Sequence, residues 1–284
     1  MRRISLIAFV AVLAGATWTA GRQDAALPLA PGSVRFAVIG DGGTGDRPQY
    51  EIGEQMAAAR ARFPFEFVLM LGDNMYGRQQ PQDFVEKFDR PYAPLLQAGV
   101  PFYAALGNHD DPDQRSDKGF TMAGARYYTF VRSHVRFVVL DTNTLDRTQL
   151  AWFEATLKNA TEEWKICYFH HPLYSDGRRH GPNIELRVAL EPLLVRYGVT
   201  AVFTGHEHVY ERLRPQKGIT HFIAGSSGQL RRGGIAPSAD TAAAFDQDQA
   251  FMLVEIAGTS MFFQAISRTG RVVDSGVILR RPPT

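Results

Sequence analysis

The chain has 284 residues, 45% hydrophobic and 21% charged, a globular composition long enough for one large domain or two small ones. Removing Arg2 and Arg3 from the 31 basic residues leaves 29, equal to the 29 acidic ones, which argues against a polyanion-binding surface for nucleic acid. Cys167 is the single cysteine, which excludes an internal disulfide framework.

Residues 1–20, MRRISLIAFVAVLAGATWTA, place two arginines before an apolar run from Ile4 to Leu13 and then turn to small residues. The run is too short for a stable membrane span and predicts a secretory signal, cut near Ala14-Gly15-Ala16 or after Ala20. An uncleaved N-terminal anchor is the alternative. The expectation is an exported protein of bacterial type, periplasmic or secreted, by the general or the twin-arginine route. Residues 21–32 read as a linker, and 33–280 as one mixed α/β domain.

Within that domain the apolar runs VRFAVIG, FEFVLMLG, VPFYAALG, YYTFV, VRFVVLD, KICYFH, TAVFTG, ITHFIAG, FMLVEIAG and SMFFQAIS predict strands. The early runs are almost continuously apolar, as strands covered on both faces are, and the last two alternate like an antiparallel sheet. Helices are expected at about 49–62, 83–97, 148–160 and 183–197. Loops fill 110–124 and 228–245. No internal repeat interrupts this pattern.

The first strand runs into Gly40-Asp41-Gly42-Gly43-Thr44-Gly45, a literal GxGxxG. A dinucleotide fold needs the third glycine inside the helix and an acidic residue at the end of the second strand. Here Asp46-Arg47-Pro48 starts the helix after Gly45, and the acidic residue at the right distance, Glu66, opens the second strand. The notable residue is Asp41, a carboxylate at a strand's C-terminal end.

The same event recurs along the chain. FVLMLGDNMYG stops at Asp73, Asn74 and Tyr76; FYAALGNHDD at Asn108, His109 and Asp110; ICYFHHP at His170 and His171; AVFTGHEHVYE at His206, Glu207 and His208. Each alone reads as a turn or a polar strand end. Five together, on successive strands, converge on one cleft. Carboxylate, amide and imidazole suit hard or borderline first-row metal ions. His206 and His208, two apart on extended chain, can face the same way, with Glu207 turned from them. Of His170 and His171 only one can face the cleft if the segment is extended. Cys167, inside an apolar strand, reads as core.

In order and spacing, these motifs resemble those of the purple acid phosphatases, binuclear members of the calcineurin-like metallophosphoesterase superfamily. The resemblance runs from Val34 to about Asp274 and includes QLAWFEATL, YGVTAVFTGHEHVYERL and FFQAISRTGRVVDSG. It implies a four-layer α/β/β/α sandwich of two mixed sheets flanked by helices, spanning 33–280. It also implies two metal ions: Asp41, Asp73, Tyr76 and His208 on the first, Asn108, His170 and His206 on the second, with Asp73 bridging. The wider superfamily has Asp-x-His at the first motif; here that position is Gly43, and Tyr76 would supply the ligand. A tyrosine there implies Fe(III), with Fe(II), Zn or Mn at the second position. The glycines around Asp41 are then expected to leave room for metals and phosphate.

The implied reaction is hydrolysis of phosphate monoesters by in-line attack of a metal-bound hydroxide. His109 is the expected general acid, with Asp110 orienting its ring, and His180 in SDGRRHGPN is a second candidate whose spacing from His170 is one residue long. Arg178 and Arg179 read as a solvated loop or as contacts for a substrate's negative tail. His134 and His221 read as structural, and Ser226 and Ser227 take no role. The expected partner is a phosphorylated small molecule; no protein partner is expected. A phosphodiesterase of the same fold and a non-catalytic metal or phosphate binder are the alternatives. The Gly-Asp-x-Val-Asp-Arg-Gly phrase of protein serine/threonine phosphatases is replaced by GDNMYGR.

Overall fold

The computed structural model describes residues 26–281. The expected signal segment lies outside the described residues.

In chain order the first elements are β1 (Val34–Ile39), α1 (Arg47–Arg60), β2 (Phe67–Met70), α2 (Pro81–Phe84), α3 (Ala93–Gln97) and β3 (Phe102–Ala104). Then come β4 (Tyr128–Arg132), β5 (Val135–Val139), α4 (Arg147–Lys158), β6 (Trp164–Tyr168), α5 (Ile184–Arg196) and β7 (Ala201–Thr204). The last are β8 (Tyr210–Leu213), β9 (Thr220–Ala224), β10 (Thr241–Phe245), β11 (Ala250–Ala257), β12 (Ser260–Ser267) and β13 (Val272–Leu279).

Two mixed sheets result. The first has the order β13-β12-β11-β1-β2-β3, the second β10-β8-β9-β7-β6-β5-β4. β1, β2 and β3 run parallel, as do β5, β6, β7 and β9; the flanking strands are antiparallel. The sheets face each other across a dry aromatic core. Phe36 stacks on Phe67 at 5.4 Å and meets Phe137 and Phe203 edge-on from the opposite sheet. Such pairs contribute about 0.5–1.5 kcal/mol each beyond the area they bury.

The outer faces are covered by helices, giving the four layers. Ile52 and Met56 of α1 and Leu95 of α3 pack on Ala37, Ile39, Val68 and Met70 of the first sheet. Phe153 and Leu157 of α4, with Leu186, Leu190 and Leu194 of α5, pack on Val138, Cys167 and Val202 of the second. The four-residue spacing in α5 puts its leucines on one stripe and leaves Ile184 and Val188 exposed. Asp146 and Asn183 start α4 and α5 by accepting from the Gln149 and Leu186 amides at 2.8 and 3.0 Å.

Three departures from the sequence reading have local causes. The helix expected at 83–97 divides into α2, a π-helical turn at Val85–Asp89 and α3, because Pro91 has no N–H to continue the ladder. Strands β8, β10 and β13 were not expected: β8 is four residues with two charges, β10 is mostly alanine, and Asp274-Ser275-Gly276 breaks the apolar pattern of the continuous β13. The end of the linker is tied down, since the Leu29 and Ala30 amides donate to the buried Glu255 carboxylate at 2.8 and 2.6 Å. Among the described residues, no helix is long and apolar enough to cross a membrane.

Candidate metal centre

The parallel strands deliver their C-terminal ends to one edge of the sandwich, and the polar residues singled out in the sequence gather there. Asp41 follows β1, Asp73 follows β2, Asn108 and His109 follow β3, His170 follows β6, and His206 and His208 follow β7. Asp41, Asp73 and His206 hold φ of +52°, +51° and +70°, a left-handed conformation that costs a non-glycine residue about 1 kcal/mol or more. Such conformations persist where surrounding contacts enforce them. Here the Asp41 amide donates to the Gly72 carbonyl, and the His206 amide to the Asp41 carboxylate at 2.9 Å.

Two groups form side by side. In one, the Tyr76 hydroxyl lies 3.2 Å from Asp41 Oδ1 and 3.1 Å from His208 Nε2, and Asp73 joins Asp41 and His208 within 4.8 Å. In the other, His170 Nε2 faces Asn108 Oδ1 at 3.0 Å, His206 Nδ1 at 3.1 Å and Asp73 Oδ1 at 3.5 Å. Asp73 therefore borders both. Asp41, Asp73 and His170 are buried, and the cleft opens over Asn108 and His109.

Hydrogen-bond bookkeeping shows why this donor set fits cations. His170 Nδ1 lies 2.9 Å from the Leu71 carbonyl, which can only accept, so Nδ1 carries the hydrogen. Its Nε2 is then a bare lone pair crowded by an amide oxygen, a carboxylate and a second imidazole. Burial, the largest effect, lowers the pKa of His170 far below its usual value, that of His206 to about 2 and that of His208 to about 4. The rings are neutral, which is the ligand form. Burial, and next the Asp73 charge, push Asp41 well above the usual carboxylate range. Burial, Asp41 and Asp73 likewise raise the Tyr76 phenol, so a phenolate here requires a cation beside it. The Leu71 carbonyl, by accepting from Nδ1–H, fixes the orientation of the His170 ring.

The surrounding residues correct two expectations. Asp110 does not reach the His109 ring. Its buried carboxylate turns away and accepts from the Gly107, Asn74 and Met75 amides and from Gln114 Nε2, between 2.8 and 3.1 Å. It clasps the Asp73 and Asn108 loops together, and burial raises its pKa to about 7. The glycines beside Asp41 serve close packing of chain on chain. A Cβ at Gly43 would stand 1.8 Å from the Asn74 carbonyl oxygen, and one at Gly40 would stand 2.7 Å from that of Ala224. An imidazole at position 43 is therefore sterically excluded in this backbone.

The remaining residues fall around the rim. The His109 ring lies 4.8 Å from that of Tyr76, and its amide donates to Asp73 Oδ1 at 2.9 Å. His180 lies against His206 with ring centres 4.0 Å apart. His171 also enters the cleft, 4.5 Å from the His206 ring, because the chain leaves the extended conformation after β6. Arg178 and Arg179 are both exposed, and Arg178 is tied to the Gly234 and Ile235 carbonyls. Ser227 stitches β1 to β11, accepting from the Gly40 amide and donating to the Ala250 carbonyl.

Glu207 has a role that the sequence reading missed. It does turn from the cleft, fully buried, and its Oε1 accepts from the His180 and Gly181 amides at 2.5 and 2.7 Å. Gly177 lets the loop pass, since a Cβ there would stand 2.3 Å from the Glu207 carboxyl carbon. Glu207→Ala should release this loop and speed tryptic cutting at Arg178 and Arg179 about tenfold or more. Glu207→Gln, which keeps an acceptor oxygen, should stay close to wild type. Equal cutting rates in all three proteins would remove Glu207 as the anchor.

A profile of the calcineurin-like phosphoesterase family matches residues 34–210. The chain is a calcineurin-like phosphoesterase. This phosphoesterase is 30% identical to rabbit (Oryctolagus cuniculus) tartrate-resistant acid phosphatase type 5 over 246 residues, covering 70% of the chain and 75% of the relative. Its fold matches the purple acid phosphatase PPD1 of yellow lupin with a TM-score of 0.68 at 19% identity, over 88% of this chain and 55% of that one. It also matches GAP50, the anchor in the inner membrane complex of Plasmodium, with a TM-score of 0.78 at 18% identity, over 89% and 90%. The resemblance to purple acid phosphatases thus holds beyond the motifs, and the phosphoesterase is a phosphoric ester hydrolase.

Proposed function

We propose that the chain is an acid phosphatase that hydrolyses phosphate monoesters of small molecules at a two-metal centre. The observation that carries this reading is the convergence of seven donors in two adjoining groups, with Asp73 between them and His109 at the open side. Asp41, Asp73, Tyr76 and His208 would hold one ion, and Asp73, Asn108, His170 and His206 the other. We assign Fe(III) to the tyrosine-bearing position and Fe(II), Zn or Mn to its neighbour. When bound, the ions supply an activated water and charge stabilisation at the phosphoryl oxygens.

The chain's own groups do the rest. His109 would protonate the departing alkoxide or phenoxide. His180, held by Glu207, would meet the substrate from the opposite rim. The depressed imidazole pKa values support work in acid, because the His206 and His208 rings stay neutral there. The N-terminal sequence supports an exported location, periplasmic or secreted.

A phosphodiesterase of the same fold is the second reading. Cavities of about 310 and 500 Å³ adjoin at His171 and Asn183, space for a second ester arm. Metal analysis of the purified protein, with turnover of p-nitrophenyl phosphate against bis-p-nitrophenyl phosphate, decides. Faster hydrolysis of the monoester is expected. Preference for the diester selects the second reading, and two bound metals without turnover of either select a non-catalytic binder.

A further inference from the structure

His171 belongs neither to the seven expected ligands nor to the expected acid and base residues, yet its ring stands at the junction of the two cavities. One nitrogen from each of His170, His171 and His206 lies within 4.8 Å of the other two, so a third imidazole on the second metal is the competing interpretation.

Thr142 decides between them. Its Oγ1 accepts from the His171 amide at 3.2 Å and lies 2.8 Å from His171 Nδ1. Thr142 is largely buried at the wall of the larger cavity, and its hydroxyl hydrogen has no other protein acceptor among the described residues. A hydroxyl can accept twice but donate only once. If Nδ1–H pointed at Thr142, the threonine hydrogen would be left with no protein acceptor, facing only the open cavity. Donation from Thr142 to Nδ1 gives both groups a protein partner. Nε2 then carries the remaining ring hydrogen and has no lone pair for a metal.

We infer that His171 is a substrate contact: a fixed Nε2–H donor to an oxygen of the phosphate ester in the cleft, held in that tautomer by Thr142. This rests on the phosphatase reading and adds to it a specificity-determining residue and a positioning residue. A hydrogen bond to a charged oxygen is among the stronger ones, so its loss should appear in binding more than in the chemical step.

The test uses the full chain. His171→Phe keeps a ring and removes the donor; His171→Gln restores one. His171→Phe should raise KM for p-nitrophenyl phosphate, and the calorimetric Kd for inorganic phosphate, about tenfold or more. Its kcat should change much less and its content of two metals stay the same. His171→Gln should recover most of the loss. In the zinc-loaded wild type, the ring ¹⁵N shifts of His171 should report Nε2–H, and Thr142→Val should weaken that preference and weaken phosphate binding.

Loss of one metal in His171→Phe, or an Nδ1–H tautomer, would establish the metal-ligand interpretation instead. An unchanged KM and Kd in an active enzyme would overturn the substrate contact alone. A wild-type protein that loads two metals but neither turns over the ester nor binds phosphate would overturn the phosphatase reading, and this inference with it.

Discussion

His109→Ala is expected to lower kcat for an alkyl phosphate by about 10²–10⁴-fold while leaving the metal content near two ions per chain. The side chain sits at the exposed mouth of the cleft and the backbone, not the ring, is what binds Asp73. Truncation therefore spares the Asp73 contact that holds the loop. What disappears is the proton for the leaving group. A nitrophenoxide departs readily without one, so the loss should shrink for p-nitrophenyl phosphate and grow as the leaving group becomes more basic. A plot of log kcat against leaving-group pKa should steepen in the variant. Parallel plots, offset by a constant, would assign His109 to positioning rather than proton transfer.

His109 was legible in the sequence because it follows Asn108 at the end of an apolar strand. Most of the centre was readable for the same reason: a strand buried on both faces has few polar residues, so a carboxylate or imidazole at its end stands out. The four-layer fold followed from the resemblance, and the apolar early strands agreed with it. What escaped was set by tertiary contact. Asp110 looked like a partner for its neighbour His109, but the approach of the Asp73 loop offers it the Asn74 and Met75 amides beside that of Gly107 in its own loop, and a carboxylate goes where donors are. Glu207 was assigned the correct face by the two-residue alternation, yet nothing local announces that the His180 loop lies beneath it. The same alternation misled at His170 and His171. It separates neighbours only while the chain is extended, and β6 ends at Tyr168. Gly43 was read as space for a ligand, whereas the space is already filled by the backbone of Asn74 and Met75.

That filled space returns the question of the first metal to Tyr76. No imidazole fits at position 43, and the Tyr76 hydroxyl stands within 3.2 Å of both Asp41 and His208. Burial and two carboxylates oppose its ionisation, so a phenolate there needs a cation beside it, the place proposed for Fe(III). The purified protein should then be violet from phenolate-to-iron charge transfer. Tyr76→Phe keeps the ring against His109 and deletes the oxygen; it should abolish the absorption band and weaken the first metal, read by iron content after dialysis. Asp73→Asn should do more. It removes the carboxylate bordering both groups, leaves two cations without their shared counter-charge, and should cost both ions and essentially all turnover. A colourless, iron-free and fully active preparation, with Tyr76→Phe indistinguishable from it, would show that Tyr76 only packs beside a centre of zinc or manganese.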